Sequence, residues 1–112
     1  MAKVSFEGFD KIYDHLMRTS KLEAVKDVVK FNGAQLQSKA MRNAPVDTGT
    51  LKRSISLELE DKGLTAEVEA KTHYAAYVEY GTRYMNAKPY LGPAYREQKE
   101  IFKRHIDIIV GN

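Results

Sequence analysis

The chain has 112 residues, of which 43% are hydrophobic and 29% are charged, and 18 Lys and Arg side chains stand against 15 Asp and Glu. A chain of this length buries roughly two thirds of the surface that its unfolded form exposes, which suffices for one core and excludes a multi-domain enzyme. We therefore expect a single domain over residues 1–112. With no cysteine, the sequence excludes disulfides, a thiolate nucleophile and a zinc site built on sulfur.

No membrane partner is expected from the distribution of apolar residues. The longest unbroken apolar run covers residues 108–110, far short of the roughly 20 residues that cross a bilayer. Residues 1–7 have no apolar core of the kind that a signal peptide needs. The sequence therefore predicts a soluble protein without an export signal.

Two helices are predicted in the first half of the chain. Over residues 9–18, four apolar side chains recur at helical spacing, namely Phe9, Ile12, Tyr13 and Leu16. Ser20 and Glu23 have the spacing of a capping box, which predicts that a second helix begins there. Pro45 predicts that this helix ends at about Asn43, because proline disfavours the helical conformation of the preceding residue. The apolar stripe of the second helix is Leu22, Val25, Val29, Leu36 and Ala40.

The second half predicts a hairpin and a last helix. Apolar and polar residues alternate on both sides of a turn at residues 61–63, which is typical of an antiparallel hairpin with one buried face. Residues 73–80 are predicted as a third extended segment, with a helical turn as the alternative, and residues 81–92 as a loop. Pro93 suits the first turn of a last helix, whose buried stripe is Tyr95, Ile101, Phe102, Ile106 and Ile109. The predicted fold class is α+β, a small antiparallel sheet packed against the long helix and the C-terminal helix.

The sharpest local motif is Val46-Asp47-Thr48-Gly49-Thr50, which resembles the catalytic signature of aspartic proteases. One such motif in a short chain favours a retroviral-type homodimer, in which two copies of Asp47 share a proton and activate water. Those proteases are nearly all β, whereas this motif follows a long helix and Pro45. The alternative is that Asp47 or Thr48 caps a short helical turn through Leu51 and Arg53. That alternative is the preferred interpretation.

The sequence predicts no metal ion, cofactor or catalytic residue. His15, His73 and His105 are scattered, without a neighbour at ligand spacing. The seven glycines occur singly, so no phosphate-cradling loop is present. Nucleotide chemistry is therefore not expected.

Tyrosines and charges indicate contacts with other proteins. Six of the seven tyrosines crowd into 22 residues: Tyr74, Tyr77, Tyr80, Tyr84, Tyr90 and Tyr95. One alternative is that about half of them fill the core beneath the helices, but six rings are more than one small core easily buries, so some should face a partner. The hairpin is acidic at Glu58, Glu60, Asp61, Glu67 and Glu69, whereas the second helix is basic at Lys21, Lys26, Lys30, Lys39 and Arg42. If those surfaces face away from each other, copies would stack head to tail and close a ring. The alternative is that they neutralise each other within one chain.

Three segments taken in order resemble the gene-ten-product-like family of tailed-phage proteins. They are residues 44–55 (APVDTGTLKRSI), 74–82 (YAAYVEYGT) and 87–94 (AKPYLGPA), and the resemblance covers about residues 20–110. It implies a non-enzymatic virion protein of the head-tail (neck) module, which completes the tail or joins it to the capsid as a ring around the DNA channel. Its implied partners are copies of itself and other head-connector and tail proteins, in the virion and, during assembly, in the host cytoplasm.

Three surfaces are predicted to carry this role. Loops over residues 47–53 and 81–89 should be mobile in the free protein and become ordered against neighbouring rings, through Asp47, Thr48, Arg53, Arg83, Tyr84, Lys88 and Tyr90. Ring contacts should pair the acidic hairpin (Glu58, Glu60, Glu67, Glu69) with Lys26 and Lys30 of the second helix. The last helix carries a basic surplus that would face DNA in the channel, at Lys99, Lys103 and Arg104. A small duplex-DNA-binding module remains an alternative function, as does the protease that uses Asp47.

Overall fold

The computed structural model describes residues 3–6, 21–45 and 49–110. The helix predicted over residues 9–18 lies outside the described residues, as do Ser20, Asp47 and Thr48. The described elements, in chain order, are β1 (Lys3–Phe6), α1 (Leu22–Asn43), α2 (Gly49–Ser54), β2 (Ile55–Glu60), a 3-10 turn (Asp61–Gly63), β3 (Thr65–Ala70), α3 (Ala75–Tyr80) and α4 (Leu91–Val110). The predicted α+β class is confirmed.

The sheet has three antiparallel strands in the order β1-β3-β2. Its apolar face, with Val68 opposite Leu57, packs on α1. Gly33 of α1 permits this close approach, because a Cβ atom there would lie 2.8 Å from Cβ of Ala66 and 3.0 Å from Cδ1 of Leu57. The hairpin predicted around residues 61–63 is confirmed, and its inward-facing side chains pack in the hydrophobic core.

Helix α1 has 22 residues and ends where Pro45 predicted. It stops at Asn43, and Ala44 is already extended with ψ of 140°. It begins at Leu22, within the predicted segment 20–23, and its N-cap Lys21 makes no side-chain cap hydrogen bond. Ser20, and with it the predicted capping box, lies outside the described residues. Lys21 Nζ donates to the carbonyl of Ile109 at 2.8 Å and connects the start of α1 to the end of α4.

Helices α1 and α4 pack through a seam that contains buried amides as well as apolar side chains. Val25, Val29, Leu36 and Ala40 are buried as predicted, and so is Phe102 of α4. Within this seam, Gln98 Nε2 donates to Asn32 Oδ1 at 2.5 Å and to Gln35 Oε1 at 2.8 Å. These hydrogen bonds fix the alignment of the two helices, because sliding one along the other would leave buried amides unpaired.

Two elements differ from the sequence prediction. Residues 75–80 form α3, so the extended interpretation of this segment is wrong and its helical alternative is confirmed. Helical spacing places Ala75, Val78 and Glu79 on one buried face, which an extended strand would have divided between two faces. Strand β1 was not predicted at all, because four residues are too short a run to show alternation convincingly.

Candidate partner-binding site

A buried glutamate holds the first turn of α4. Glu79, at the end of α3, accepts hydrogen bonds at Oε1 from the backbone N–H groups of Tyr90 (3.1 Å) and Leu91 (2.8 Å). Its Oε2 accepts a third from Gly92 at 2.9 Å. The first amides of a helix have no partner within the helix, and its positive dipole end favours a carboxylate. Glu79 therefore acts as a helix cap supplied from 11 to 13 residues earlier in the chain.

Gly81, directly after α3, fixes the start of the segment that leads to α4. It adopts φ of +76°, and a Cβ atom there would lie 2.8 Å from the backbone nitrogen of Ala87 and 3.0 Å from the carbonyl oxygen of Met85. Lys88 N donates to the carbonyl of Val78 at 2.8 Å, and Thr82 pairs with Met85 in an isolated bridge. Only glycine fits at position 81. The close packing of Gly81 at one end, and the hydrogen bonds of Lys88 to Val78 and of Tyr90 to Glu79 at the other, fix both ends of this segment to α3.

Tyr90 belongs to the core, contrary to the prediction that it contacts a partner. Its side chain is 0% exposed, and its hydroxyl donates to the carbonyl of Ala75 at 3.4 Å. Burial raises the pKa of Tyr90 to about 12, and the charges of Glu79 and Tyr80 add to the shift. Tyr90 is buried because the residue directly before α4 must pack beneath α3 for Glu79 to reach the first turn of α4.

Residues 82–89, which we call the anchored loop, are all exposed. Tyr84 is 89% exposed, and the Arg83 guanidinium carbon lies 5.5 Å from the centre of its ring. Lys88 is the second cation of the loop, which contains no acidic residue. Two tyrosines of α3 extend the aromatic surface next to it, Tyr80 at 73% and Tyr77 at 58% exposure. A cationic, tyrosine-rich surface on a fixed base is typical of a protein-binding site.

The other predicted loop is a helix in the part that the structure describes. Arg53 is exposed on α2, and a Cβ atom at Gly49 would lie 3.2 Å from its Nη1. The helical turn expected through Leu51 and Arg53 is thus confirmed, while its predicted caps, Asp47 and Thr48, lie outside the described residues. Of the protease-like motif, Gly49 and Thr50 lie in α2 and residues 46–48 lie outside the described residues. A helix at this point differs from the nearly all-β setting of those proteases.

The acidic residues of the hairpin share the sheet face that points away from the helices. Glu58 is paired with Glu67, and Ser56 with Glu69, so these side chains lie opposite the apolar face. We call the set Glu58, Glu60, Glu67 and Glu69 the outer acidic face. Carboxylate oxygens of Glu58, Glu60 and Glu67 lie within 4.8 Å of one another. Like charges this close repel one another, so the face favours a cationic partner.

The cations predicted to meet this face do not do so within one chain. Lys26 Nζ lies 3.5 Å from Glu23 Oε1 in its own helix, and Lys30 is exposed. The outer acidic face is instead partly neutralised by Lys3, 3.6 Å from Glu67, and by Lys71, 3.1 Å from Glu58. The alternative of neutralisation between the acidic hairpin and the basic helix is therefore not seen among the described residues.

The last helix exposes its basic residues together with acids. Lys99, Lys103 and Arg104 are all exposed on α4. By helical spacing, Glu100 and Asp107 each lie three or four residues from both Lys103 and Arg104. The acids interrupt the positive charge, as is typical of a solvated helix face.

Sequence reasoning missed Glu79, the residue that organises the site. A signal existed, because Glu79 falls at helical spacing with Ala75 on the buried side of a short apolar helix. A lone carboxylate on a buried face must find hydrogen-bond donors. Which donors it finds depends on the path of residues 82–92, and no local pattern specifies that path.

The fold is a small α+β domain that presents an anchored, aromatic and cationic loop. Residues 10–81 match the family described as "Bacteriophage HK97-gp10, putative tail-component", and the chain belongs to this family. The resemblance found in the sequence is confirmed. The match includes the first two of its three motif segments almost completely and ends at Gly81, where the anchored loop begins.

Two further comparisons add no relative. No curated protein and no solved structure matches the chain. Among the described helices, none is long and apolar enough to span a bilayer. Membership of the family therefore supports a structural role in a phage tail.

Proposed function

We propose that this protein is a non-enzymatic virion component of the head-tail (neck) module, which completes the tail or joins it to the capsid. The tail-component family supports the phage role. The observation that carries the finer proposal is the anchored loop, whose base is fixed by Glu79 and Gly81 while Arg83 and Tyr84 are exposed. A fixed base lowers the ordering cost of binding, and exposed Tyr and Arg provide contact area and charge.

Assembly as a homo-oligomeric ring is part of the proposal. The charged surfaces differ from one face of the domain to another, which suits a heterologous contact that closes into a ring. The ring contact predicted from the sequence pairs the outer acidic face with Lys26 and Lys30. Lys30 is exposed and Lys26 is half-buried. Arg53 would serve the adjoining ring, together with Asp47 and Thr48, and Lys99, Lys103 and Arg104 would line the DNA channel. We place the protein in the virion and, before that, in the host cytoplasm.

The test is a complementation assay with particles assembled without this protein. Purified protein is added, and infectious particles are counted. We expect the double variant Arg83→Ala, Tyr84→Ala to remain folded, because both side chains are exposed, and to lower the yield of infectious particles at least tenfold. A matched control, Arg42→Ala with Ile108→Ala, removes one cation and one exposed apolar side chain elsewhere and should retain the wild-type yield.

Circular dichroism and urea unfolding establish that both variants are folded. Full complementation by the loop variant would contradict the proposal that this loop joins neighbouring virion proteins. Equal losses in the loop variant and the control would contradict it as well, because the effect would then have no relation to the loop.

A further inference from the structure

The anchored loop and the hairpin turn lie at opposite ends of α1, and the outer acidic face extends from that turn along β2 and β3. At the start of the helix, a Cβ atom at Gly63 would lie 3.5 Å from the side chain of Lys26, which places the hairpin turn there. At the other end, Asn43 Nδ2 donates to the carbonyl of Tyr90 at 3.3 Å, which places the anchored loop there. Lys26 and Asn43 are separated by about 25 Å at 1.5 Å per residue. The loop and the tip of the hairpin therefore cannot meet within one chain.

Their charges are opposite and are not balanced locally. The anchored loop carries Arg83 and Lys88 without an acid, and neither cation forms an ion pair within the described part of the chain. The outer acidic face has four carboxylates against two lysines, Lys3 and Lys71. Glu60 and Glu69 have no ion pair with any described residue. A guanidinium can bridge neighbouring carboxylates in a forked geometry that an ammonium does not provide.

We propose that the anchored loop of one copy binds the outer acidic face of a second copy, with Arg83 between the carboxylates of Glu58 and Glu60. The proposal rests on the proposed function and identifies one partner of its binding loop. Tyr84, stacked beside Arg83, covers the sheet and excludes water from the contact. Because the two surfaces are different and do not overlap, each copy binds one neighbour through its loop and another through its sheet face, which is the contact that a closed ring requires.

This contact is favoured over the pairing of the same acids with α1. Lys26 already lies beside Glu23, and its stem packs against the hairpin turn of its own chain. Residues 82–89 are all exposed, and their cations have no acid beside them. A neighbouring chain thus meets fewer competing charges at the loop than at α1.

The experiment measures self-association by sedimentation and light scattering across protein concentrations up to about 1 mM. We expect wild-type protein to form a closed oligomer. Arg83→Glu with Lys88→Glu, and separately Glu58→Lys with Glu60→Lys, should each raise the concentration for half-assembly at least tenfold. The matched control Arg42→Glu makes the same kind of charge change at another exposed cation of α1 and should leave assembly unchanged. Lys30→Glu distinguishes the two contacts, because it weakens assembly only if α1 supplies the cations.

Mixing the two reversed variants keeps the test independent of folding. Alone, each variant opposes like charges across the contact. In the equimolar mixture, the intact loop meets the intact face and the reversed loop meets the reversed face, so both contacts are between opposite charges and the mixture should assemble. A single chain with all four reversals should regain self-association. A wild-type protein that stays monomeric at 1 mM, a mixture that stays monomeric, or assembly lost in Lys30→Glu alone would each overturn the inference.

The complementation assay separates this inference from the function on which it rests. If the Arg83→Ala, Tyr84→Ala variant fails to complement while all charge-reversed variants assemble like wild type, the loop binds another virion protein and the self-contact is wrong. If that variant complements fully, the role of the loop in joining is wrong, whatever the state of association.

Discussion

The hairpin turn Asp61–Gly63 and the anchored loop both depend on a glycine at positive φ, which is Gly63 in the turn and Gly81 directly before the loop. The two segments are nevertheless held in different ways. The hairpin turn is stabilised locally: Leu64 N donates to Asp61 O at 3.1 Å, Thr65 Oγ1 donates to Asp61 Oδ2 at 2.6 Å, and two paired strands flank it. The anchored loop has no such strands. Its ends are held by Glu79, Gly81 and Tyr90, which connect two helices.

This difference shows how one small domain can keep a binding loop both exposed and fixed. A turn between strands can be short because the ladder continues up to it. A loop of eight exposed residues needs other support, and here the support is buried beneath it in the form of a helix cap. Substitutions at the base of the loop should therefore affect stability, whereas substitutions at its tip should affect binding.

The largest effect is expected at Glu79. Replacing Glu79 with Ala removes three charge-assisted hydrogen bonds from the start of α4, and we expect the free energy of unfolding to fall by about 4 kcal/mol. Urea unfolding measures the change. Glu79→Gln retains one good acceptor and should lose about 2 kcal/mol. At the hairpin turn, Asp61→Ala removes one side-chain hydrogen bond and should cost about 1 kcal/mol; an equal cost at both positions would remove the distinction between the two regions.

The next largest loss of stability is expected at Gly81, in comparison with Gly63 of the hairpin turn. Gly81→Ala combines positive φ with a contact of 2.8 Å to the backbone nitrogen of Ala87, and we expect a loss of about 3 kcal/mol. Gly63 also has positive φ, but its nearest neighbour is the flexible Lys26 side chain at 3.5 Å, so Gly63→Ala should lose only about 1 kcal/mol. Thermal and urea unfolding of both variants provide the comparison. If Gly63→Ala were the more damaging, the close backbone contact at Gly81 would not limit this site.

The same contrast explains what sequence alone could predict. Helix α1 and the hairpin follow from apolar periodicity, Pro45 and Gly63, all of which act within a few residues. Segment 75–80 was ambiguous because its apolar residues suit two periods, and the cap that Glu79 supplies to α4 settles its structure as a helix. Strand β1 exists through its pairing with β3, which lies about 60 residues later in the chain.

The candidate site was predicted in part for a similar reason. Its exposed residues, Arg83, Tyr84 and Lys88, were found from composition, because a polar segment rich in tyrosine and glycine indicates an exposed loop. Tyr90 was assigned to the same loop by its position in the sequence, yet it is buried. Whether a tyrosine faces solvent or the core depends on where α3 lies, and this is information about tertiary structure.

The smallest effect concerns pH and the buried tyrosine at the base of the loop. The pKa of Tyr90 is raised to about 12 in the folded protein, from 10 for an ordinary tyrosine, so the folded state holds this proton more tightly than the unfolded chain. The stabilisation is therefore fully present below pH 10 and is lost as the pH rises through 12. Two pKa units correspond to about 3 kcal/mol. We expect wild-type protein to lose up to that amount more than Tyr90→Phe between pH 9 and pH 12 in urea unfolding, since other tyrosines and lysines titrate alike in both. Hydrogen exchange should show the loss first around residues 90–92 and not at the hairpin turn; parallel pH profiles for the two proteins would show that Tyr90 does not couple alkaline pH to the base of the loop.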